Sequence, residues 1–246
     1  DTIGVSFERG PSDKGVGSAG WYNNIFFKQE ANHAGRTAIN IVGDAFSDSV
    51  RNQVIEAIET YFEGEVDLVI SNFCQANLAV PRLYTIGGGN PIIDMGIYPI
   101  ALSQQFLGEP SEIHAFGKLH PNQIDEETHT FMRFADGSRS NFVLSGRTAL
   151  PIYAAVSGSK GAISFGTPWF TPSAITLHST AFGDQGETWI DDTGMREHWG
   201  LIHQVHAFAQ YVEQGLLESP LYTHQESLNN IKTALTIGAQ IGTRFK

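Results

Sequence analysis

The 246-residue sequence predicts an α/β protein in two parts. A parallel β/α segment comes first, followed by an α+β domain with a large, mainly antiparallel open sheet. Three observations predict it: residues 1–71 alternate β-rich runs with helical stripes, five strand-like runs follow after residue 110, and two amphipathic helices close the chain.

Residues 2–7 are a short β-rich run, 10–20 a polar, glycine-rich loop, and 21–33 a helix ended by Gly35 at its C′ position. Residues 37–42 form the next strand and 43–46 a turn. Ser47 or Asp48 then caps a helix whose stripe is Val54, Ile58 and Phe62. Residues 66–71 are apolar enough for a strand buried on both faces. Strand–helix–strand–helix–strand implies parallel pairing with right-handed crossovers, half of a doubly wound sheet.

Beyond residue 72 the pattern changes, which divides the chain into 1–71 and 72–246. Runs at 112–119, 127–134, 141–148, 152–157 and 162–165 read as an antiparallel meander. Asp136-Gly137 supplies one hairpin turn and residues 158–161 another. A helix over 203–217 is expected to bury Val205, Phe208, Ala209 and Val212. The last helix starts at a capping box, Thr223 with Glu226.

Composition narrows the function. Hydrophobic residues at 41% against 17% charged describe a folded globular chain. A net charge of −11 disfavours binding to nucleic acid or anionic lipid. No stretch approaches the ~20 apolar residues of a membrane helix, and no secretory signal pattern opens the chain. The lone Cys74 excludes an internal disulfide and a multi-cysteine metal site, so a reducing, cytoplasmic setting is expected.

The chemistry concentrates in residues 87–98, where Gly87-Gly88-Gly89 runs into an apolar helix carrying Asp94 and Tyr98. Positions i and i+4 share a helix face, and a helix N-terminus favours an ionised Asp94. Ile93, Ile97 and Ile100 would face the core. A phenol beside a fixed carboxylate can carry a proton in carbonyl or alcohol chemistry. A solvated pair is the plainer reading of the same spacing. The triple glycine suggests close backbone approach to something large.

Other constellations point to less. Glu197, His198, His203 and His206 read as hydrogen-bonding groups rather than metal ligands, and no metal is expected. Trp169 and Phe170 read as core or interface aromatics. Gly15 to Gly20 spells G-x-G-x-x-G, but it follows a loop instead of a strand and is not read as a phosphate cradle.

Two resemblances overlay this reading. Gly64-Glu65-Val66, Asn72-Phe73, Val80-Pro81-Arg82, the block from Gly87 to Tyr98, Leu107-Gly108-Glu109-Pro110, Gly158 to Gly161 and Pro168 to Pro172 carry the first. From about residue 64 to 246 the chain resembles the C-terminal domain of the glucose–fructose oxidoreductase and inositol dehydrogenase family, in its dimeric dihydrodiol dehydrogenase flavour. The run Thr2 to Glu8, Gly20 to Asn24, Gly43 to Asp48 and Val66 to Val69 carry the second. Residues 1–71 are similar to an internal piece of single-chain trans-2-enoyl-CoA reductases, a partial Rossmann-like segment. A fusion is therefore expected.

The first resemblance implies that Tyr98 is the acid/base of an NAD- or NADP-linked reaction on a small hydroxyl or carbonyl compound. Asp94 would orient the substrate, with Phe73 and Arg82 at its mouth. It further implies a homodimer through the open sheet. The second implies that Glu8 accepts from the ribose hydroxyls, with Asp44 and Ala45 near the adenine. Read from the residues alone, Glu8 is equally a solvated strand-end charge and Asp44 a turn former. Both families also use a glycine-rich phosphate loop and a catalytic lysine that find no counterpart here. A non-catalytic, self-associating domain with a vestigial redox site is the alternative.

Overall fold

A computed structural model describes residues 2–3, 38–39, 66–170, 174–190, 201–220 and 222–245. The helices expected at 21–33 and after 47, together with Glu8, Asp44, Ala45, Glu197 and His198, lie outside the described residues. The chain divides into two compact units, Asp67–Ala154 with Gln225–Lys246 and Asp1–Val66 with Ala155–His224.

The first of these is a four-stranded sheet under a helical layer. Its strands are β3 (Val66–Cys74), β4 (Pro110–Leu119), β5 (Asp125–Phe134) and β6 (Arg139–Ser145), in the order β3-β6-β5-β4. β4–β5 and β5–β6 are antiparallel. The turn at Asp136-Gly137 forms as expected: Gly137 has φ +90° and the Asp136 carboxylate accepts from the Ser138 N–H at 2.9 Å. β3, read from the sequence as the third strand of the parallel segment, instead pairs with β6 and runs parallel to it, Leu68 opposite Arg139. Its burial alternates, as a strand with one solvated face requires, so Ile70 is exposed while Val69 and Phe73 are buried.

The helices are α1 (Pro91–Asp94), α2 (Ile97–Leu107) and α4 (His224–Ile241). Ile92, Met95, Ile100 and Phe106 of the helical layer are buried, as are Phe134, Phe142 and Leu144 of the sheet. Sequence spacing put Ile93 and Ile97 in the core; both are half-buried, and Ile92 and Met95 take the inward positions. The inward stripe runs 91, 92, 95, 96, 99, 100, one residue out of phase with the expected one. Gly96 sits where a Cβ would come within 2.9 Å of Leu144 Cδ1, so α2 starts against β6. A hydroxyl pair, Ser103 Oγ with Ser140 Oγ at 2.6 Å, fixes α2 on that strand.

α4 guards the sheet edge. The Gln240 amide accepts from the Ala115 N–H at 2.7 Å and donates to the Ile113 carbonyl at 2.8 Å, serving β4 as a neighbouring strand would.

The second unit carries β7 (Ala154–Gly158), β8 (Gly161–Phe165), β9 (Ala174–His178) and β10 (Glu187–Ile190), ordered β10-β9-β8-β7. β8–β9 and β9–β10 are antiparallel. Its core includes Val156, Ile163, Phe165, Ile175 and Leu177, and Trp169 is buried with Phe170 on its edge. β1 (Thr2–Ile3) and β2 (Ala38–Ile39) pair in parallel. α3 (Leu201–Glu213) corrects an expectation: Val205 is 67% and Phe208 69% exposed, and Ala209 and Val212 are exposed too. Helical spacing says which residues share a face, not what covers it. Among the described residues no helix is long and apolar enough to cross a membrane.

Candidate functional site

The site is built at the end of β3 and the start of the helical layer. Residues 81–84 make one 3-10 turn, Pro81–Tyr84, which delivers Arg82. The glycine block follows and explains itself locally. Gly87 and Gly89 have φ of +79° and +95°, and a Cβ on Gly88 would lie 2.3 Å from the Arg82 carbonyl oxygen. The large object approached by this backbone is therefore the chain's own preceding turn. The glycines let residues 85–90 fold back so that Arg82 reaches over them.

Arg82 Nη1 donates to Asp94 Oδ1 at 2.7 Å, and the guanidinium's pKa rises through that hydrogen bond and charge. Asp94 is the last residue of the one-turn α1 and forms a half-exposed ion pair with Arg82. Phe73, from β3, meets Tyr98 edge-to-face with ring centroids 5.7 Å apart. Met95 and Gly96 keep right-handed helical torsions between α1 and α2, so Asp94 and Tyr98 both fall on the half-buried side of this segment. The sequence-predicted residues thus form two touching pairs, Arg82 with Asp94 and Phe73 with Tyr98.

Sequence reasoning missed the group that anchors the block. Asn90 has extended N-cap torsions, yet its side chain makes no cap; it donates to the Arg244 carbonyl at 3.2 Å. The cap comes from β5. Asp125, fully buried, accepts from the Ile92 N–H at 2.7 Å and from the Thr243 hydroxyl at 3.4 Å. Burial pushes its carboxyl up to about 6, against the pull of those donors and of Asn90. Its position, directly before Glu126-Glu127, looks like a solvated acidic run, and only the fold shows otherwise.

A second support lies beneath α1. The Tyr84 hydroxyl donates to Asn77 Oδ1 at 2.8 Å, and Asn77 Nδ2 donates to Met95 Sδ at 3.4 Å. Burial, then the charges of Asp125 and Glu126, push Tyr84 up to about 12, so it stays a neutral donor. Cys74 is buried and burial raises its thiol to about 11, which leaves it an inert core residue.

The opposite face of the sheet is open. A cavity of about 360 Å³ lies there, lined by Leu68, Glu112, His114, Phe131, Arg133 and Arg139 among others. Among the described residues no group of three or more His, Cys, Asp or Glu side chains converges to hold a metal. Nor do the described residues offer a dinucleotide cradle: Gly87 to Gly89 are taken up by the Arg82 turn, and α1 is a single turn.

Residues 15–84 match the model of the trans-2-enoyl-CoA reductase catalytic region, and residues 52–164 match that of the GFO/IDH/MocA C-terminal domain. Over 70 residues the chain is 96% identical to enoyl-[acyl-carrier-protein] reductase [NADH] 2 of Vibrio parahaemolyticus, covering 28% of this chain and 18% of that protein. It is 40% identical over 129 residues to the trans-2-enoyl-CoA reductase [NADH] of Clostridium beijerinckii, covering 48% and 32%. The chain spans under a third of the length of these curated relatives.

Among solved structures, an NAD binding oxidoreductase from Klebsiella pneumoniae superposes with a TM-score of 0.62 at 15% identity over 83% of this chain and 64% of that one. The aldose-aldose oxidoreductase from Caulobacter crescentus, complexed with glycerol, gives 0.59 at 18% identity over 76% and 58%. Levoglucosan dehydrogenase, complexed with NADH and levoglucosan, gives 0.58 at 18% identity over 76% and 58%. These likenesses establish the fold. The chain is composite: the two matches belong to different families and overlap only over residues 52–84.

Proposed function

We propose that the chain carries the substrate half of an NAD- or NADP-dependent oxidoreductase acting on a small hydroxyl or carbonyl compound of sugar or diol type. The observation that supports it is the Arg82–Asp94 ion pair beside the Phe73–Tyr98 pair, on one half-buried side of the segment that follows the glycine block. In this reading Tyr98 passes a proton to or from the substrate oxygen, and Asp94, held by Arg82, accepts from a neighbouring substrate hydroxyl. Phe73 fixes the phenol ring by its edge contact.

The nucleotide would supply or take the hydride. Asp44 and Ala45 are proposed as its adenosine contacts on the strength of the reductase match, and Glu8, which precedes the matched residues, on the sequence resemblance alone. The protein is placed in the cytoplasm, in keeping with its unpaired thiol.

Titration of the full chain with NADH and with NADPH, followed by calorimetry, tests the reading. Binding of either at millimolar or tighter affinity is expected, with turnover of a polyol or keto-sugar largely lost in Tyr98→Phe. No binding of either nucleotide, or turnover untouched by Tyr98→Phe, refutes it. A second reading, a non-catalytic domain that associates with its own copies into a homodimer, is favoured by the open sheet face, where Phe116 and Phe131 stand 59% and 53% exposed.

A further inference from the structure

Strand register builds the cavity on the open face of the β3-β6-β5-β4 sheet. β5 and β6 place Arg133 directly opposite Arg139 and Phe131 directly opposite Asn141. On the flanks, Glu112 of β4 lies opposite Arg133 and His114 opposite Phe131, while Leu68 of β3 lies opposite Arg139. Two neighbouring rows of side chains therefore cross one sheet face, and together they line the cavity of about 360 Å³.

Like charges directly opposite on paired strands repel and cost stability. Among the described residues their ion-pair partners come from the outer strands. Arg133 Nη1 meets Glu112 Oε2 at 3.1 Å from β4, and Arg139 Nη2 meets Asp67 Oδ2 at 2.5 Å from β3. Each contact occupies one nitrogen of a guanidinium that carries five N–H donors, and the two side chains stay 66% and 60% exposed. Of the residues that line the cavity, Arg133 and Arg139 are cations, and Glu112, with His114 at 2.7 Å, is the one carboxylate. The lining is thus formally positive in a chain that carries −11.

Facing guanidiniums present N–H donors to a tetrahedral oxyanion, and a dianionic phosphoryl group has charge enough to answer both. The Asn141 amide and the His114 ring border the same space with hydrogen-bonding atoms for an ester or hydroxyl oxygen. Phe131 and Leu68 supply apolar surface for the rest of a ligand. The volume stands at the lower end of small-molecule pockets. A polyanion reaching beyond it would meet the acidic remainder of the surface, and a compact monoester would not.

We infer that this cavity binds a small phosphate monoester, its phosphoryl group between Arg133 and Arg139 and its body against Phe131. The site shares no residue with the Arg82–Asp94 and Phe73–Tyr98 pairs, so it stands apart from the redox reading. Calorimetric titration of the full chain with phenyl phosphate at pH 7.5 measures it. Binding with a Kd of about 1 mM or tighter is expected. Arg133→Met and Arg139→Met should each weaken it about tenfold or more. Thermal scans should show both variants folded, as the loss of an exposed ion pair allows. Phe131→Ala should weaken phenyl phosphate more than inorganic phosphate. Lys160→Met, which removes an exposed cation from the other unit, should change nothing.

No heat of binding up to about 10 mM phenyl phosphate overturns the inference. So does undiminished binding by folded Arg133→Met and Arg139→Met chains. An equal loss in Lys160→Met overturns it too, because the anion would then be answering overall charge and not this cavity.

Discussion

Asp125 gives the sharpest test of how the site is held. It is a carboxylate with no exposed surface, four hydrogen-bond donors including its own N–H, and a carboxyl pushed up to about 6 from an ordinary 3.8. Between about pH 4 and 6 the folded chain keeps a proton that the unfolded chain has released. Stability from this group is therefore complete below pH 4 and lost as pH rises through 6. The gap between the two values corresponds to about 3 kcal/mol, or a midpoint change of about 5–10 °C for a chain of this size. Urea unfolding from pH 4 to 7.5 should show the stability difference between the natural chain and Asp125→Asn growing by that amount toward acid. A carboxyl carbon resonance titrating near pH 6 should accompany it. A difference that stays flat across the range would refute the assignment of a strained buried charge, and would mean water or a cation reaches the group.

Other outcomes follow from the same geometry. Arg147→Met should lower the melting temperature clearly, because Glu126 is 2% exposed and its ionised form depends first on the Arg147 hydrogen bond. Arg82→Met should leave the melting temperature nearly unchanged, since that ion pair is half-exposed, while impairing any turnover that uses Asp94; thermal scans of both variants decide. Gly146→Ala should disrupt the Tyr84–Asn77–Met95 chain, since its Cβ would fall 1.7 Å from the Tyr84 hydroxyl. Loss of near-ultraviolet aromatic dichroism reads that out. Alkylation of Cys74 at pH 8 should run about a hundredfold or more slower in the folded than in the urea-unfolded chain, from the thiolate fraction alone.

Much of the architecture was legible because local chemistry and global fold agree. Asp136-Gly137 dictates its hairpin, and alternation along β5 and β6 states which side faces the helices. β9 and β10 escaped, although Ile175 and Leu177 alternate and Gly186, at φ +73°, marks the turn before β10. The placement of β3 escaped for another reason. An apolar run specifies a strand but not its neighbour, and β3's neighbour is set by long-range pairing. At the site, the pairing of Arg82 with Asp94 required knowing how three glycines turn, and the Asp125 cap required knowing that β5 begins under α1. The outward stripe of α3 shows the converse: its period was right and its burial was not.

The parallel pairing of β3 with β6 has a kinetic consequence. Each residue of β3 finds its partner about 70 positions later, after helices α1 and α2 and two antiparallel hairpins have intervened. Adjacent hairpins close cheaply, whereas a contact of such span must await nearly all of the intervening chain. The β4–β5–β6 meander is therefore the part expected to gain amide protection first in a refolding experiment. The strand that carries Phe73 docks last, and the edge contact with Tyr98 is completed only when the rest of the unit is already assembled.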